Sequence, residues 1–516
     1  MTTTSKPYVI AADLGTTSTK TLVVDDKGTI LASHAILYPM YTPTPDIAEQ
    51  DPQEIYQAVL RGIREVIRKA GIRGEDVLAV SFSSAMHSLM AVDEKGEPLT
   101  PLITWADNRS AAYTARLKKE PTGREIYHRT GTPVHPMSPL AKLMWMRDQE
   151  PDLFAKAYKF IGIKEFVFAK LFGRYVVDHS IASATGLFNL HQLDWDELAL
   201  ATAGVDAVRL SVPVPAGHAE TGLPAALAAE MGLPADTPFV VGGADGPLAN
   251  LGAGAVEPGV WALTVGTSGA VRGIIREPRT DAKGRLFCYA LADGYWTVGG
   301  AINNGGVMFR WVRDTLATLE AEEGRRKGMD PYDYLTELAH TVPPGSGGLL
   351  FLPFLLGERS PNWNANARGV FFGLAMNHTK NHMIRAVMEG VVYRLNSVAQ
   401  ALSETIGAPE EIRASGGFAR SPLWRQMLAD VLVKTVTVTD SVESSALGAA
   451  YIGFYAMGRF SRLEDIRDWV VARTSHRANS ENYPIYKELT NIYARVYDQL
   501  IGEFDAIAEL QHRSMP

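Results

Sequence analysis

Cysteine is nearly absent from this sequence: Cys288 is the single one among 516 residues. Neither an intrachain disulfide framework nor a cysteine-built zinc site is therefore available. Long apolar runs are lacking too. The strongest, residues 349–356, is interrupted by Pro353 and falls far short of the ~20 residues a membrane-spanning helix needs. The polar start, residues 1–7, and the short apolar stretch after it have neither the basic opening nor the length of a secretory leader. Positive charge is not in excess, since 50 Lys and Arg stand against 57 Asp and Glu for a net −7. That balance argues against a surface built for nucleic-acid phosphates, but a single nucleotide needs only local donors. No low-complexity tract or long flexible linker interrupts the chain. The expectation is a cytoplasmic protein with neither membrane nor nucleic acid as partner.

What is present is an ordinary globular composition, 46% hydrophobic and 21% charged, in a chain long enough for two domains with their own cores. Residues 8–12, 19–24 and 29–36 read as strands, with a turn at Asp25-Asp26-Lys27-Gly28. A helix is expected from Asp51 as N-cap and Pro52 as first helical residue, with Ile55, Val59, Ile63, Val66 and Ile67 on one stripe. Residues 77–82 form a strand again, and this alternation indicates an α/β class with a largely parallel sheet. The second half opens in the same way. Strands at 259–265 and 270–275 flank Gly266-Thr267-Ser268-Gly269, echoing Gly15-Thr16-Thr17-Ser18-Thr19. This predicts a duplicated domain with a cleft between the copies, divided into residues 1–253 and 254–516. A βαβ unit is expected over 412–438, and an amphipathic helix over 483–510 packing on the outside.

Four constellations carry candidate chemistry. In Asp13-Leu14-Gly15-Thr16-Thr17-Ser18-Thr19-Lys20, a sharp glycine turn, hydroxyls and a lysine could meet phosphate oxygens, and Asp13 could hold magnesium; a plain polar hairpin is the alternative, weakened by the second Gly-Thr turn. Ser415-Gly416-Gly417-Phe418-Ala419-Arg420-Ser421 leads from a strand into a helix start and leaves room for a flat ligand, or is structural. Gly242-Gly243-Ala244-Asp245 places one acid at a strand end, either a base for a substrate hydroxyl or the cap of a helix starting at Pro247. Met86-His87 and Trp105-Ala106-Asp107-Asn108-Arg109 come after strands and suit a polyhydroxylated ligand, unless His87 is structural and Asp107/Arg109 a surface pair.

Together these motifs resemble the FGGY family of carbohydrate kinases, and the resemblance covers nearly the whole chain. Met137-Ser138-Pro139, Lys142-Leu143, Trp145-Met146 and Asp148-Gln149 match one family signature. Gly369, Phe371, Gly373-Leu374, His382-Met383 and Ala386-Val387-Met388-Glu389 match the other. The resemblance implies an actin-like, ribonuclease-H-type fold duplicated around an ATP cleft, with ATP and Mg2+ as cofactors. It places Asp245 as catalytic base, Asp13 at the metal, and Thr16, Thr17, Lys20, Gly266 and Thr267 at the phosphates. Gly306, Arg310, Gly417 and Ser421 fall at nucleotide positions, although some relatives carry glutamine at the place of Arg310. Met86, His87, Trp105, Asp107 and Arg109 fall on the substrate side; His135, like His87, Arg109 and Asn303, is a candidate donor to a substrate carboxylate. Gly246 stands where xylulose kinases read asparagine, and the strings at 83–88, 101–109 and 303–306 look most like the gluconate kinases of the family. The implied reaction is ATP-dependent phosphorylation of D-gluconate to 6-phospho-D-gluconate, with a xylulose or other pentulose or polyol kinase as the alternative. A homodimer is expected only at family level.

Overall fold

The structure, a computed structural model, describes residues 7–292, 294–439, 443–470 and 472–514. Its first half is organised by a six-stranded sheet: β1 (Tyr8–Leu14), β2 (Ser18–Asp25), β3 (Ile30–Leu37), β4 (Val77–Ser84), β5 (Ala219–Glu220) and β6 (Phe239–Ala244). The spatial order is β5-β6-β4-β1-β2-β3, with β1–β3 an antiparallel meander and β4 and β6 added in parallel. The second half repeats the plan with β7 (Val260–Val265), β8 (Gly269–Ile275), β9 (Phe287–Ala292), β10 (Tyr295–Ile302), β11 (Glu411–Ser415), β12 (Val436–Thr439) and β13 (Ala472–His476). Its order is β9-β10-β8-β7-β11-β12-β13, again a meander on one side and two parallel strands on the other. The repeat that the two Gly-Thr turns suggested is thus a repeat of whole sheets.

Eight helices bear on the cleft and its supports: α1 (Pro52–Ala70), α2 (Pro139–Gln149), α3 (Ile163–Phe172), α4 (Asp245–Gly252), α5 (Lys380–Ile406), α6 (Pro422–Leu432), α7 (Ser444–Ala456) and α8 (Tyr483–Ser514). Helix α1 starts as expected: Asp51 caps it by accepting from the Gln53 N–H, Pro52 comes next, and Ile55, Val59, Ile63, Val66 and Ile67 are buried. Helix α8 departs from expectation. It buries Tyr486, Leu489, Tyr493, Val496, Tyr497 and Phe504 in the core of the second half and so completes that core rather than decorating it.

The division between halves is crossed once in an important way. One face of the first sheet is covered by α1 and α3, and the opposite face by α7, which comes from far beyond the first half of the chain. Helix α4 crosses α7 with glycines at the contact. A Cβ on Gly252 would lie 1.9 Å from the Ser444 carbonyl oxygen, and one on Gly448 would lie 2.1 Å from that of Leu248. Only glycine permits this approach. Because α4 begins at Asp245, the crossing also fixes the direction in which that carboxylate leaves its strand. Among the described residues, no helix is long and apolar enough to cross a membrane.

Candidate active site

A cleft of about 300 Å³ opens between the two sheets and is lined by Met86, His87, Trp105, Asp245, Gly266 and Arg359, among others. Asp245 reaches it because β6 ends in a bulge. Gly242 has φ +66°, where a Cβ would lie 1.8 Å from the Phe82 carbonyl oxygen, and the register of β6 against β4 shifts there. The chain then turns directly into α4, whose first residue is Asp245 and whose N-cap is Ala244. Asp245 is therefore not the cap of a helix beginning at Pro247. One of its oxygens accepts from the Gly246 N–H at 2.7 Å, and the Ser445 hydroxyl donates to its backbone carbonyl at 3.2 Å.

Burial, and then repulsion from Asp13, raise the Asp245 carboxyl from 3.8 to about 6, while Arg272 and Arg359 hold it back. Asp13, at the end of β1, is itself raised by burial, and one of its oxygens is buried with no hydrogen-bond partner. Asp245 thus lines the cleft with the charge of Asp13 bearing on it. Behind them Lys164 makes a buried ion pair with Asp178 at 2.6 Å and donates to the Gly243 carbonyl at 2.9 Å. That lysine bears on both acids and was not singled out from the sequence.

The candidate residues divide into those at the cleft and those engaged elsewhere. Thr16 lines it, and its hydroxyl accepts from the Trp105 indole N–H at 3.0 Å. Thr17 and Thr267 lie on their turns. Gly306 anchors the second turn, its N–H donating to the Gly266 carbonyl at 2.7 Å. Lys20 is paired with Glu443 of the other half at 2.7 Å. Ser421 caps α6 by accepting from the Trp424 N–H, Gly417 lies in the turn before it, and Arg310 is exposed on a short helix.

On the substrate side, His87 is buried with φ +68°, and its ring pairs with the Ala184 carbonyl at 2.7 Å; burial lowers its pKa to about 3, so the ring is neutral. His135 lies against Trp363 with ring centres 5.4 Å apart, and burial keeps it neutral as well. Asp107 and Arg109 form a pair that also takes in Glu49: Arg109 reaches Asp107 at 2.8 Å and Glu49 at 2.5 Å. Asp107 further accepts from the Ala48 N–H, so this cluster braces the loop carrying Trp105 and does not line the cleft. Lys142 accounts for part of the string at 137–149. Fully buried, it donates to the carbonyls of His87, Thr104 and Met137 and so ties together the two strand ends that carry Met86-His87 and Trp105.

Arg359 was missed. It comes after the apolar run 349–356 in the turn Gly357-Glu358-Arg359-Ser360-Pro361, and charges placed directly after such a run were the available signal. Its guanidinium lies 5.2 Å from the centre of the Trp105 ring; one nitrogen donates to the Ile302 carbonyl at 3.3 Å, and Nε is buried without a partner. Glu358 beside it accepts from the Asn303 and Arg359 backbone N–H groups, which holds the turn against the cleft.

Residues 8–252 match the N-terminal domain, and residues 261–457 the C-terminal domain, of the FGGY family of carbohydrate kinases. The chain belongs to this family. It is 46% identical over 505 residues to a gluconokinase from Bacillus subtilis, covering 98% of each chain. Among solved structures, a gluconate kinase from Lactobacillus acidophilus superposes with a TM-score of 0.91 at 33% identity, over 97% of this chain and 99% of the other. A ligand-bound xylulose kinase from the same species gives 0.92 at 34%, with the same coverage. The backbone alone therefore does not separate the two substrates.

Proposed function

We propose that this carbohydrate kinase transfers the γ-phosphoryl group of ATP to the terminal hydroxyl of D-gluconate, yielding 6-phospho-D-gluconate, with Asp245 as the base. The observation that carries the chemistry is Asp245 itself: a carboxylate at the head of α4, opening on the cleft and held near pKa 6 by burial and by Asp13. Ionised at neutral pH yet more basic than an ordinary carboxylate, it suits removal of a hydroxyl proton as that oxygen attacks phosphorus. The choice of gluconate rests on the B. subtilis gluconokinase and on the local strings around Met86, Trp105 and Asn303. Gly246 adds to it. A Cβ there would lie 3.1 Å from the Met86 methyl, so a larger residue would push Met86 and reshape the sugar end of the cleft.

Thr16, Thr17, Gly266 and Thr267 bring two turns to the phosphates from opposite halves, and their N–H and hydroxyl groups supply donors. Asp13 fits a magnesium ion, because its buried unpartnered oxygen and the repulsion it shares with Asp245 would both be relieved by a cation. When bound, the ion supplies charge neutralisation to the phosphates. His87 and Trp105 offer a neutral ring and an indole to the sugar, and closure of the halves would exclude water from the transfer.

The test is an ADP-release assay across gluconate, xylulose, ribulose, glycerol and fuculose. Gluconate is expected to give the highest kcat/KM. A higher value for xylulose would move the assignment to the pentulose kinases.

A further inference from the structure

A sugar acid brings a negative charge into a cleft lined by Asp245, with Asp13 close enough to act on that acid, so a free cation would favour its binding. Most cations near the cleft are committed. Arg109 is held by Glu49 and Asp107, Lys20 by Glu443 and Lys164 by Asp178. Lys142 is spent on three backbone carbonyls beneath the floor, and Arg272 donates to Asn250 at 2.9 Å and to Thr264 at 3.2 Å. His87 and His135, named from the sequence as donors to a carboxylate, are neutral.

Arg359 differs from all of these. It lines the cleft, makes one side-chain hydrogen bond, to the Ile302 carbonyl, and keeps a buried Nε without a partner. A guanidinium has five donors arranged as a planar fork that matches a carboxylate. Its position over Trp105 puts it at the sugar end, and its charge bears on His87, His135 and Tyr289 as well as on Asp245. A linear sugar acid has its carboxylate and its terminal hydroxyl at opposite ends, so one group of the protein must take each.

We propose that Arg359 is the specificity-determining residue that binds the substrate carboxylate, orienting the far hydroxyl toward Asp245. This rests on the reading of the substrate as gluconate. The guanidinium lies over the Trp105 ring, and the carbonyl of Ile302 holds one of its nitrogens, leaving its remaining terminal donors for the acid. Glu358 acts on Arg359 through its charge and by accepting from the Arg359 backbone N–H, but its carboxylate is also held by Asn303, Asn304 and Arg394 and makes no side-chain hydrogen bond to the guanidinium.

The experiment compares kcat/KM for D-gluconate and for its neutral amide, D-gluconamide, in the wild type, R359Q and R359K. Because the measured quantity is a ratio within one protein, a partly misfolded variant lowers both terms together. The wild type is expected to prefer gluconate, and R359Q to lose at least about tenfold of that preference, the low end for a hydrogen-bonded charge. R359K should recover part of it through charge without the fork. The loss should appear in the KM for gluconate and leave the KM for ATP in place. An equal fall for both acceptors, or a rise confined to the KM for ATP, would overturn the assignment while leaving gluconate as substrate. A wild type inactive on gluconate would overturn the functional reading, and the assignment with it.

Discussion

Replacing Asp245 by asparagine tests catalysis and energetics in one molecule. The carboxyl is raised from 3.8 to about 6 by burial and by Asp13, and roughly two units correspond to a ceiling of ~3 kcal/mol. The side chain is partly open to the cleft, so solvent screening brings the usable figure to on the order of 1–2 kcal/mol. Linkage sets the sign. An acid whose folded pKa exceeds its unfolded value burdens the fold only where it must ionise. The burden is absent below pH 3.8, develops as pH rises, and is complete above about 6. Asp245→Asn removes it while keeping a carbonyl oxygen for the Gly246 N–H. The variant should therefore be more stable than wild type at neutral pH, and the two should converge in acid. It should also lose on the order of 10²–10⁴-fold in kcat. Thermal melts without nucleotide or metal across this pH range, paired with an ADP-release assay, measure both. A variant that is less stable at neutral pH, or one that retains wild-type turnover, would refute the account of Asp245 as a strained, ionised base.

In wild type, kcat/KM, which reports the free enzyme, should fall as pH drops through about 6, where Asp245 takes up its proton; a kcat/KM profile flat to well below that value would exclude it as the titrating base. Lys142→Met strands three buried carbonyls and should destabilise by about 3 kcal/mol, with a raised KM for the sugar; denaturant titration and kinetics check the two parts. Gly448→Ala forces a methyl to within 2.1 Å of the Leu248 carbonyl oxygen and should cost about 1–3 kcal/mol or more, lowering kcat by displacing α4; an unchanged melting temperature would show that the helices can separate freely. Lys20→Met breaks a part-exposed pair with Glu443 worth about 0.2–1 kcal/mol, so melting should barely move; a large rise in KM for ATP would show that the lysine leaves Glu443 for the phosphates.

The duplicated α/β architecture was legible because each half opens with the same strand, Gly-Thr turn and strand, and local hydrophobic patterns carry that much. Asp245 was legible as an isolated acid after glycines, but its place as the first residue of α4 was not, since Pro247 is the stronger local helix signal. What sequence reasoning misjudged was pairing across distance. Arg109 looked available to a substrate, yet Glu49, sixty positions away, holds it. Lys20 looked like a phosphate ligand, yet Glu443 faces it from the other half. Arg359 went unnoticed for the complementary reason: its guanidinium is paired with no carboxylate side chain by a hydrogen bond, which no local pattern reports.

The burial of α7 against the first sheet has a consequence for how the chain is made. A ribosome that has released the first 253 residues has delivered every strand of that sheet but not the helix that covers its second face. Val9, Ala11, Leu22 and Val24 then lack a large part of their cluster, with Leu248 and Leu251 present but the helix from Ala446 to Phe454 still to emerge. The first half should accordingly be slow to reach its native state during synthesis, prone to association through that bare face, and dependent on very long-range contacts. A fragment ending at residue 253 should be poorly soluble alone and should be rescued by a separately expressed piece containing α7.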